Sequence, residues 1–262
     1  MKSNQYEKET WDVSESTETA NLAPIPDAPA GLGEAPAKRR VSKTDQHIRK
    51  TVAAALFAAL AYLFVFVFRI QVAGFLTFDF KDAVMAIGAI FLGPVAGVAT
   101  AAVVALLEFV SVSTTGPYGL LMNFASSAGF ILPAAILFRI RRTRRSMVVG
   151  LVLSVFFMLA VMMPLNLLID PLYLHVTREQ VAELIPPTLL PFNAVKGTLN
   201  AALTALLFQP VAQALHRVKI LPPEEEKSRV PAWVIPAVAG VVAVAAALVF
   251  FLVLDGKFSL FR

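Results

Sequence analysis

The hydrophobic pattern of this chain consists of seven apolar segments separated by polar loops. A helix that crosses a bilayer needs about 20 mostly apolar residues, and most of the segments approach that length. The predicted helices are residues 51–68, 83–92, 95–110, 119–138, 147–169, 188–215 and 230–254. Gly93-Pro94 joins the second helix to the third and predicts a closely packed pair with a tight turn. The pattern therefore predicts an all-α integral membrane protein.

The same pattern divides the chain into four regions. Residues 1–46 are rich in Glu, Ser, Thr, Pro and Ala, without a long apolar run, and predict a disordered cytoplasmic tail. Residues 47–216 predict a six-helix membrane domain, and residues 217–229 predict a charged cytoplasmic linker. Residues 230–262 predict a seventh transmembrane helix with a short external tail.

Composition and charge support this assignment. Of the 262 residues, 57% are hydrophobic and 16% are charged, whereas soluble domains carry about a quarter charged residues. The absence of cysteine excludes disulfides, thiol catalysis and cysteine metal sites. The net charge of +5 does not indicate a nucleic-acid partner, because the basic residues cluster beside apolar segments. These clusters precede the first helix, separate helices four and five, and follow helix six, which predicts a cytoplasmic N-terminus and an extracellular C-terminus.

Helix six carries polar residues at bilayer depth. Asn193 and Lys196 are three residues apart, which places them on one helix face. A charge at this depth costs a few kcal/mol, so such residues usually face a cavity or a partner. Asn123 on helix four lies near the same predicted membrane face. We interpret the two helices as walls of a buried ligand site that opens to the exterior.

Two further features have alternative interpretations. Glu108, near the outer end of the third helix, either pairs with Lys196, pairs with a loop residue, or reaches interfacial water, which we favour. Ala54 and Ala58 on helix one are four residues apart, a spacing that lets two helices approach closely. Their neighbour is either another helix of this bundle or a partner subunit.

An intramembrane enzyme is the competing class of function. It would need a nucleophile with a base, paired carboxylates or metal ligands. The three histidines lie in separate loops, and Asp79 and Asp82 sit at a loop–helix junction, where capping is the favoured role. We therefore expect no catalytic residues and no metal site. A GxxxxGK[ST] phosphate loop is also absent, so a solute-binding subunit would depend on other subunits for energy.

Four stretches of the sequence carry a family resemblance. They are Leu-Thr-Phe-Asp-Phe-Lys-Asp at 76–82, Phe-Leu-Gly-Pro-Val-Ala-Gly at 91–97, Gly-Leu-Leu-Met-Asn-Phe at 119–124 and Pro-Phe-Asn-Ala-Val-Lys-Gly at 191–197. The last is the most specific. Over about residues 50–216 the chain resembles the riboflavin-specific substrate-binding subunit (S component) of energy-coupling factor (ECF) transporters.

The resemblance implies a six-helix S-component bundle, here with an additional C-terminal transmembrane helix, in the cell membrane of a prokaryote. It implies outward-facing riboflavin binding, a transmembrane coupling subunit, and two cytoplasmic ATPase subunits that use ATP, with no cofactor in this chain. Ala54 and Ala58 would contact the coupling subunit. The residues carried over to the riboflavin site are Phe78, Asp79, Gly119, Met122, Asn123, Asn193 and Lys196.

Some alternatives stay open within this family. The ligand could be another vitamin or a flavin nucleotide, but a phosphate would require further Arg or Lys at the outer rim. Only Arg69, Lys81 and Arg178 are available there, so riboflavin is preferred. Phe80, Phe124 and Tyr173 are additional aromatic residues that could flank the flavin ring. The seventh helix either extends the coupling surface or is peripheral.

Overall fold

The computed structural model describes residues 43–73, 76–217 and 234–253, and these residues are almost entirely helical. The helices are α1 (Lys43–Val67), α2 (Lys81–Leu92), α3 (Pro94–Ser111), α4 (Gly116–Arg141), α5 (Arg144–Leu174), α6 (Arg178–Leu184), α7 (Leu190–Arg217) and α8 (Val234–Val253). The all-α prediction is confirmed for this part of the chain. Residues 1–42 of the predicted tail, most of the predicted linker and the C-terminal residues 254–262 lie outside the described residues.

Four helices have the length and apolar composition needed to cross a membrane: α1 from His47, α3, α4 and α5. Helix α2 has 12 residues and is therefore only about 18 Å long, too short for a hydrocarbon core of about 30 Å. Helix α7 is long enough, with 28 residues, but Asn193, Lys196 and Asn200 interrupt its apolar surface. A multi-pass membrane protein is thus supported, whereas the count of six helices plus one remains a prediction.

The turn between α2 and α3 has the tight geometry expected from its sequence. Gly93 adopts a φ of +106°, a conformation that residues with a side chain rarely adopt, and Pro94 begins α3. Beyond the turn, Gly97 approaches Ala89 so closely that a Cβ atom on Gly97 would collide with it. The predicted close packing of these two helices is confirmed.

Several element boundaries differ from the sequence-based prediction. Helix α1 begins at Lys43 rather than at residue 51, and the following loop contains an antiparallel hairpin of β1 (Ile70–Ala73) and β2 (Leu76–Phe78). Helix α5 continues past Pro171 to Leu174, because a helix packed among others can satisfy the backbone groups that a proline frees. A π-helical turn, Ile185–Leu189, connects α6 to α7.

Helix α2 lies at the centre of the bundle. Every residue from Lys81 to Ile90 is buried, and α2 contacts α1, α3, α4 and α7. Helices α4 and α5 form the most extensive helix pair, and α7 packs against α2, α5 and α8. Ala239 and Ala243 of α8, four residues apart, pack against the core of this chain and therefore contribute to its internal packing.

Candidate functional site

A cavity of about 130 Å³ lies at one end of the bundle. This is the end where α1, α3 and α5 finish and where α2, α4 and α7 begin. The opposite end carries basic residues, including Arg139 and Arg141 at the end of α4 and Arg144 at the start of α5. The cavity and these basic residues therefore lie at opposite ends of the bundle.

The cavity brings together most of the predicted site residues. Those that line it are Asp79, Gly119, Met122, Asn123, Asn193 and Lys196. Phe78 is placed elsewhere: its side chain is 3% exposed and packs in a small apolar cluster with Leu76, Val181 and Phe192. Phe78 therefore belongs to the apolar packing of the hairpin and is not one of the residues that line the cavity.

Lys196 connects α7 to the junction between β2 and α2. Its Nζ lies 3.1 Å from Oδ2 of Asp79 and forms a buried ion pair. The other carboxylate oxygen of Asp79 accepts a hydrogen bond of 3.3 Å from the backbone N–H of Lys81, the first residue of α2. Phe80 is the N-cap residue of α2 and makes no side-chain cap hydrogen bond, so Asp79 does not have the capping role predicted for it. Asp79 instead contacts the first N–H of α2 from one residue before the cap and pairs with Lys196.

A second ion pair extends this network to α3 and α4. Nζ of Lys81 lies 2.6 Å and 2.7 Å from the two carboxylate oxygens of Glu108 and 3.8 Å from Oδ2 of Asp79. Asn123 donates a 2.8 Å hydrogen bond from Nδ2 to Glu108. The expectation that Glu108 reaches interfacial water is wrong, because Glu108 is 4% exposed and pairs with Lys81 instead.

The burial of these charges determines what they contribute. Lys81, Lys196, Asp79 and Glu108 are each at most 5% exposed. Desolvating such groups costs several kcal/mol per ion, so a buried pair adds little net stability, whereas loss of one partner is strongly destabilising. The network therefore fixes the relative positions of α2, α3, α4 and α7 around the cavity.

Asn200 is a central residue that the sequence-based site prediction missed. Its Oδ1 accepts a 2.9 Å hydrogen bond from the backbone N–H of Ala83, and its Nδ2 donates to the carbonyl oxygens of Asp79 at 3.1 Å and Lys196 at 3.0 Å. Asn200 is fully buried. The available signal was its spacing, since it follows Lys196 by one helical turn on the same face.

Two other polar residues have structural contacts in this region. Asn193 donates a 2.8 Å hydrogen bond from Nδ2 to the carbonyl of Leu189, at the end of the π-helical turn. Asp82 accepts a hydrogen bond from the hydroxyl of Ser127 on α4. Asp82 therefore ties α2 to α4 rather than capping α2.

Helix α5 supplies another wall of the cavity, with Met162, Ile169, Asp170 and Tyr173. The extension of α5 to Leu174 brings the last two of these onto the helix. Two of the aromatic residues considered for ring contacts lie elsewhere. Phe80 packs edge-on against Phe68 and Phe78, and Phe124 packs against the core.

The predicted coupling residues on α1 have different environments. Ala58 is 6% exposed and belongs to the core of this chain, and Ala54 is half-buried. Ala55 and Ala59, also four residues apart, are exposed instead. Ala58 therefore contributes to internal packing, and the exposed small residues on α1 are its neighbours Ala55 and Ala59.

Comparisons with known proteins agree with this arrangement. Residues 49–208 match the family described as the ECF transporter, substrate-specific component. The riboflavin transporter RibU of Staphylococcus aureus (strain TCH60) is 29% identical over 181 residues, which cover 66% of this chain and 95% of that protein. The riboflavin transporter FmnP of Bacillus subtilis (strain 168) is 31% identical over 143 residues, which cover 51% of this chain and 75% of that protein.

A solved structure shares the fold. It is described as the S component of a bacterial ECF transporter, is 26% identical in sequence, and superposes with a TM-score of 0.55 over 64% of this chain and 98% of its own. The matched residues contain the cavity and the ion-pair network described above. The chain belongs to the substrate-specific components of ECF transporters.

Proposed function

We propose that this chain binds riboflavin and serves as the substrate-specific subunit for its uptake across the cell membrane. The observation that carries the proposal is the cavity, in which Asn123, Asn193 and Lys196 line one side and Met162 and Tyr173 the other. The two relatives described above are riboflavin transporters by name, which supports the same ligand. Both are transporters rather than enzymes, which supports a binding function without catalysis.

The lining matches the chemistry of a flavin. The ring system of riboflavin is flat and has carbonyl oxygens and ring nitrogens at one edge. An asparagine amide both donates and accepts hydrogen bonds, and a lysine ammonium donates only. Met122 and Met162 offer flexible thioethers that make favourable contacts with aromatic rings. Tyr173 and Phe192 add aromatic surface for the ring faces.

The size of the cavity requires a structural adjustment on binding. Its volume is about 130 Å³, whereas sites for ligands of this size measure about 300–1,000 Å³. Helix α2 and the ion-pair network are buried, so we expect them to hold their positions. The segment from Val112 to Thr115, between α3 and α4, also lines the cavity and is the part we expect to move.

Energy for transport would come from other subunits. Membership of the family supports a transmembrane coupling subunit and two cytoplasmic ATPase subunits that use ATP, and we propose that this chain itself needs no cofactor. We place the docking surface on the exposed face of α1, which presents Ala55 and Ala59 among large apolar side chains such as Leu56 and Leu60. Small residues within such a face allow close helix contact.

The orientation follows from the distribution of charge. The basic end of the bundle would face the cytoplasm and the cavity would open to the exterior. The N-terminus is then cytoplasmic, and an odd number of spans would put the C-terminus outside the cell.

A fluorescence titration tests the proposed function. The full chain, purified in detergent and freed of bound flavin, is titrated with riboflavin, and saturable quenching near one flavin per chain is expected. Asn193→Ala should weaken binding about tenfold or more, because it removes a polar contact at the cavity wall. Thr198→Ala is the matched control, since within the described part of the chain its hydroxyl bonds only to the carbonyl of Ala194 in α7. Unchanged flavin fluorescence with the wild-type chain would reject riboflavin and direct a screen toward other vitamins.

A further inference from the structure

One buried carboxylate in the cavity has no counter-charge among the residues that the structure describes. Asp170 on α5 lines the cavity and is 3% exposed, and its Oδ2 has no hydrogen-bond partner within the described part of the chain. The two other carboxylates that line the cavity, Asp79 and Glu108, are each paired with a lysine. Asp170 is therefore the acceptor that the lining leaves open.

Burying an acceptor without a partner raises the free energy of the folded state. A buried polar group without a partner costs free energy comparable to a lost hydrogen bond, and more if it is charged. Asn166, one turn earlier on the same helix and also 3% exposed, does not satisfy it, because Nδ2 of Asn166 likewise has no partner among the described residues. A ligand that brings a donor to Asp170 would remove this cost.

The chemistry of Asp170 selects one part of the ligand. An ionised carboxylate accepts hydrogen bonds and does not donate them. A flavin ring offers a lone N–H donor, whereas the ribityl chain offers several hydroxyl groups. We infer that Asp170 accepts hydrogen bonds from the hydroxyl groups of the ribityl chain, while Asn193 and Lys196 hydrogen-bond to the flavin ring. This inference rests on the function proposed above.

The same placement discriminates against phosphorylated flavins. A phosphate at the end of the ribityl chain would lie near a carboxylate, and like charges at short range repel. Two cationic side chains among the described residues line the cavity, and they differ in how far their charge is compensated. Lys196 is paired with Asp79, whereas Arg69 keeps its positive charge, although one of its N–H groups donates a 2.9 Å hydrogen bond to the carbonyl oxygen of Val112. The discrimination therefore requires the phosphate to lie nearer to Asp170 than to Arg69. Asp170 is thus a specificity-determining residue for the unphosphorylated vitamin.

The test compares ligands that differ only in the side chain. Wild type and Asp170→Asn, as full-length proteins, are titrated with riboflavin, with lumiflavin, which carries a methyl group instead of the ribityl chain, and with flavin mononucleotide. Asp170→Asn should weaken riboflavin binding about tenfold or more, change lumiflavin binding less than about twofold, and narrow the preference for riboflavin over the mononucleotide. Glu183→Gln, on the exposed surface of α6, is the matched control for loss of a negative charge.

The outcomes separate this inference from the proposed function. If Asp170→Asn weakens riboflavin and lumiflavin in parallel, or weakens neither, Asp170 does not bind the ribityl chain and the inference is overturned. If the wild-type chain binds no flavin at all, the proposed function itself is rejected and the inference with it. Should Asp170→Asn yield too little folded protein, Asp170→Ser removes the same charge and supports the same comparison.

Discussion

Lys196 and Asp79 are 117 residues apart in the sequence, and their side chains meet at 3.1 Å beside the cavity. The pair links α7 to the segment that follows the hairpin, and both residues also line the cavity. Lys196 therefore has two roles in this structure. As a lining residue it would offer donors to the proposed ligand, and it neutralises the buried carboxylate of Asp79. Among the described residues, the other cation near that carboxylate is Lys81, at 3.8 Å.

Because Lys196 has both roles, we expect a double-mutant cycle with Asp79 to restore part of the protein's stability without restoring its flavin affinity. Lys196→Met leaves Asp79 poorly compensated, and the loss of one partner of a buried ion pair costs about 3–5 kcal/mol. We expect the low end of this range, because Lys81 remains. Adding Asp79→Asn should restore part of the stability, since the uncompensated charge is then gone, but flavin binding should stay weak. Thermal unfolding in detergent and flavin titration measure the two effects.

The contrary result of this cycle is equally informative. If the double variant recovers flavin affinity along with stability, Lys196 acts only by holding Asp79 and makes no contact with the ligand. If Lys196→Met alone unfolds at the wild-type temperature, the ion pair does not contribute to the fold.

Replacing Asn200 should lower the stability of the fold without removing a contact to the ligand. Asn200→Ala removes hydrogen bonds to the backbone of Ala83, Asp79 and Lys196, and we expect a loss of about 1–3 kcal/mol because the side-chain hydrogen bonds that link α7 to the start of α2 are gone. The N–H of Ala83 keeps a second acceptor, the carbonyl oxygen of Phe80 at 3.2 Å, which limits the cost. The residue does not line the cavity, so flavin affinity of the folded fraction should change far less than in Asn193→Ala. Denaturation monitored by circular dichroism measures the stability.

Thr198→Ala is a suitable comparison for Asn200→Ala. Thr198 lies on the same helix, and among the described residues its hydroxyl bonds only to the carbonyl of Ala194 in that helix, so its loss should cost well under about 1 kcal/mol. Equal destabilisation by the two substitutions would mean that the hydrogen bonds from Asn200 to α2 do not stabilise the fold.

Sequence patterns predicted the parts of the site that depend on local spacing. Asn193 and Lys196 occupy one face of α7, and Asn123 reaches the same cavity from α4, as expected from their positions in predicted helices. Local spacing could not reveal that Lys81 pairs with Glu108. That pairing depends on how α2 packs against α3, and a lone carboxylate near a helix end is equally compatible with interfacial water.

The misplaced residues have a common physical cause. Phe78 belongs to a hairpin in a segment predicted as a loop. Side chains alternate along β2, and this alternation places the ring of Phe78 in an apolar cluster rather than in the cavity lining. The predicted fifth helix ended at residue 169, which left Asp170 in a loop, but α5 continues through Pro171 to Leu174. In both cases tertiary packing overrode a local signal, and Asp170 was consequently overlooked as a lining residue.

Helix α1 provides the last prediction, which concerns coupling rather than binding. Ala55 and Ala59 are exposed on α1, whereas Ala58 is buried in the core of the chain. Replacing Ala55 and Ala59 together by Leu should leave flavin affinity unchanged, because neither residue lines the cavity, but should reduce riboflavin uptake in cells by preventing close helix contact with a coupling subunit. Ala58→Leu should instead destabilise the chain by about 1–3 kcal/mol through overpacking, which distinguishes the internal from the external face. Normal uptake by the Ala55→Leu and Ala59→Leu double variant, with a wild-type amount of protein in the membrane, would place the docking surface on another part of the bundle.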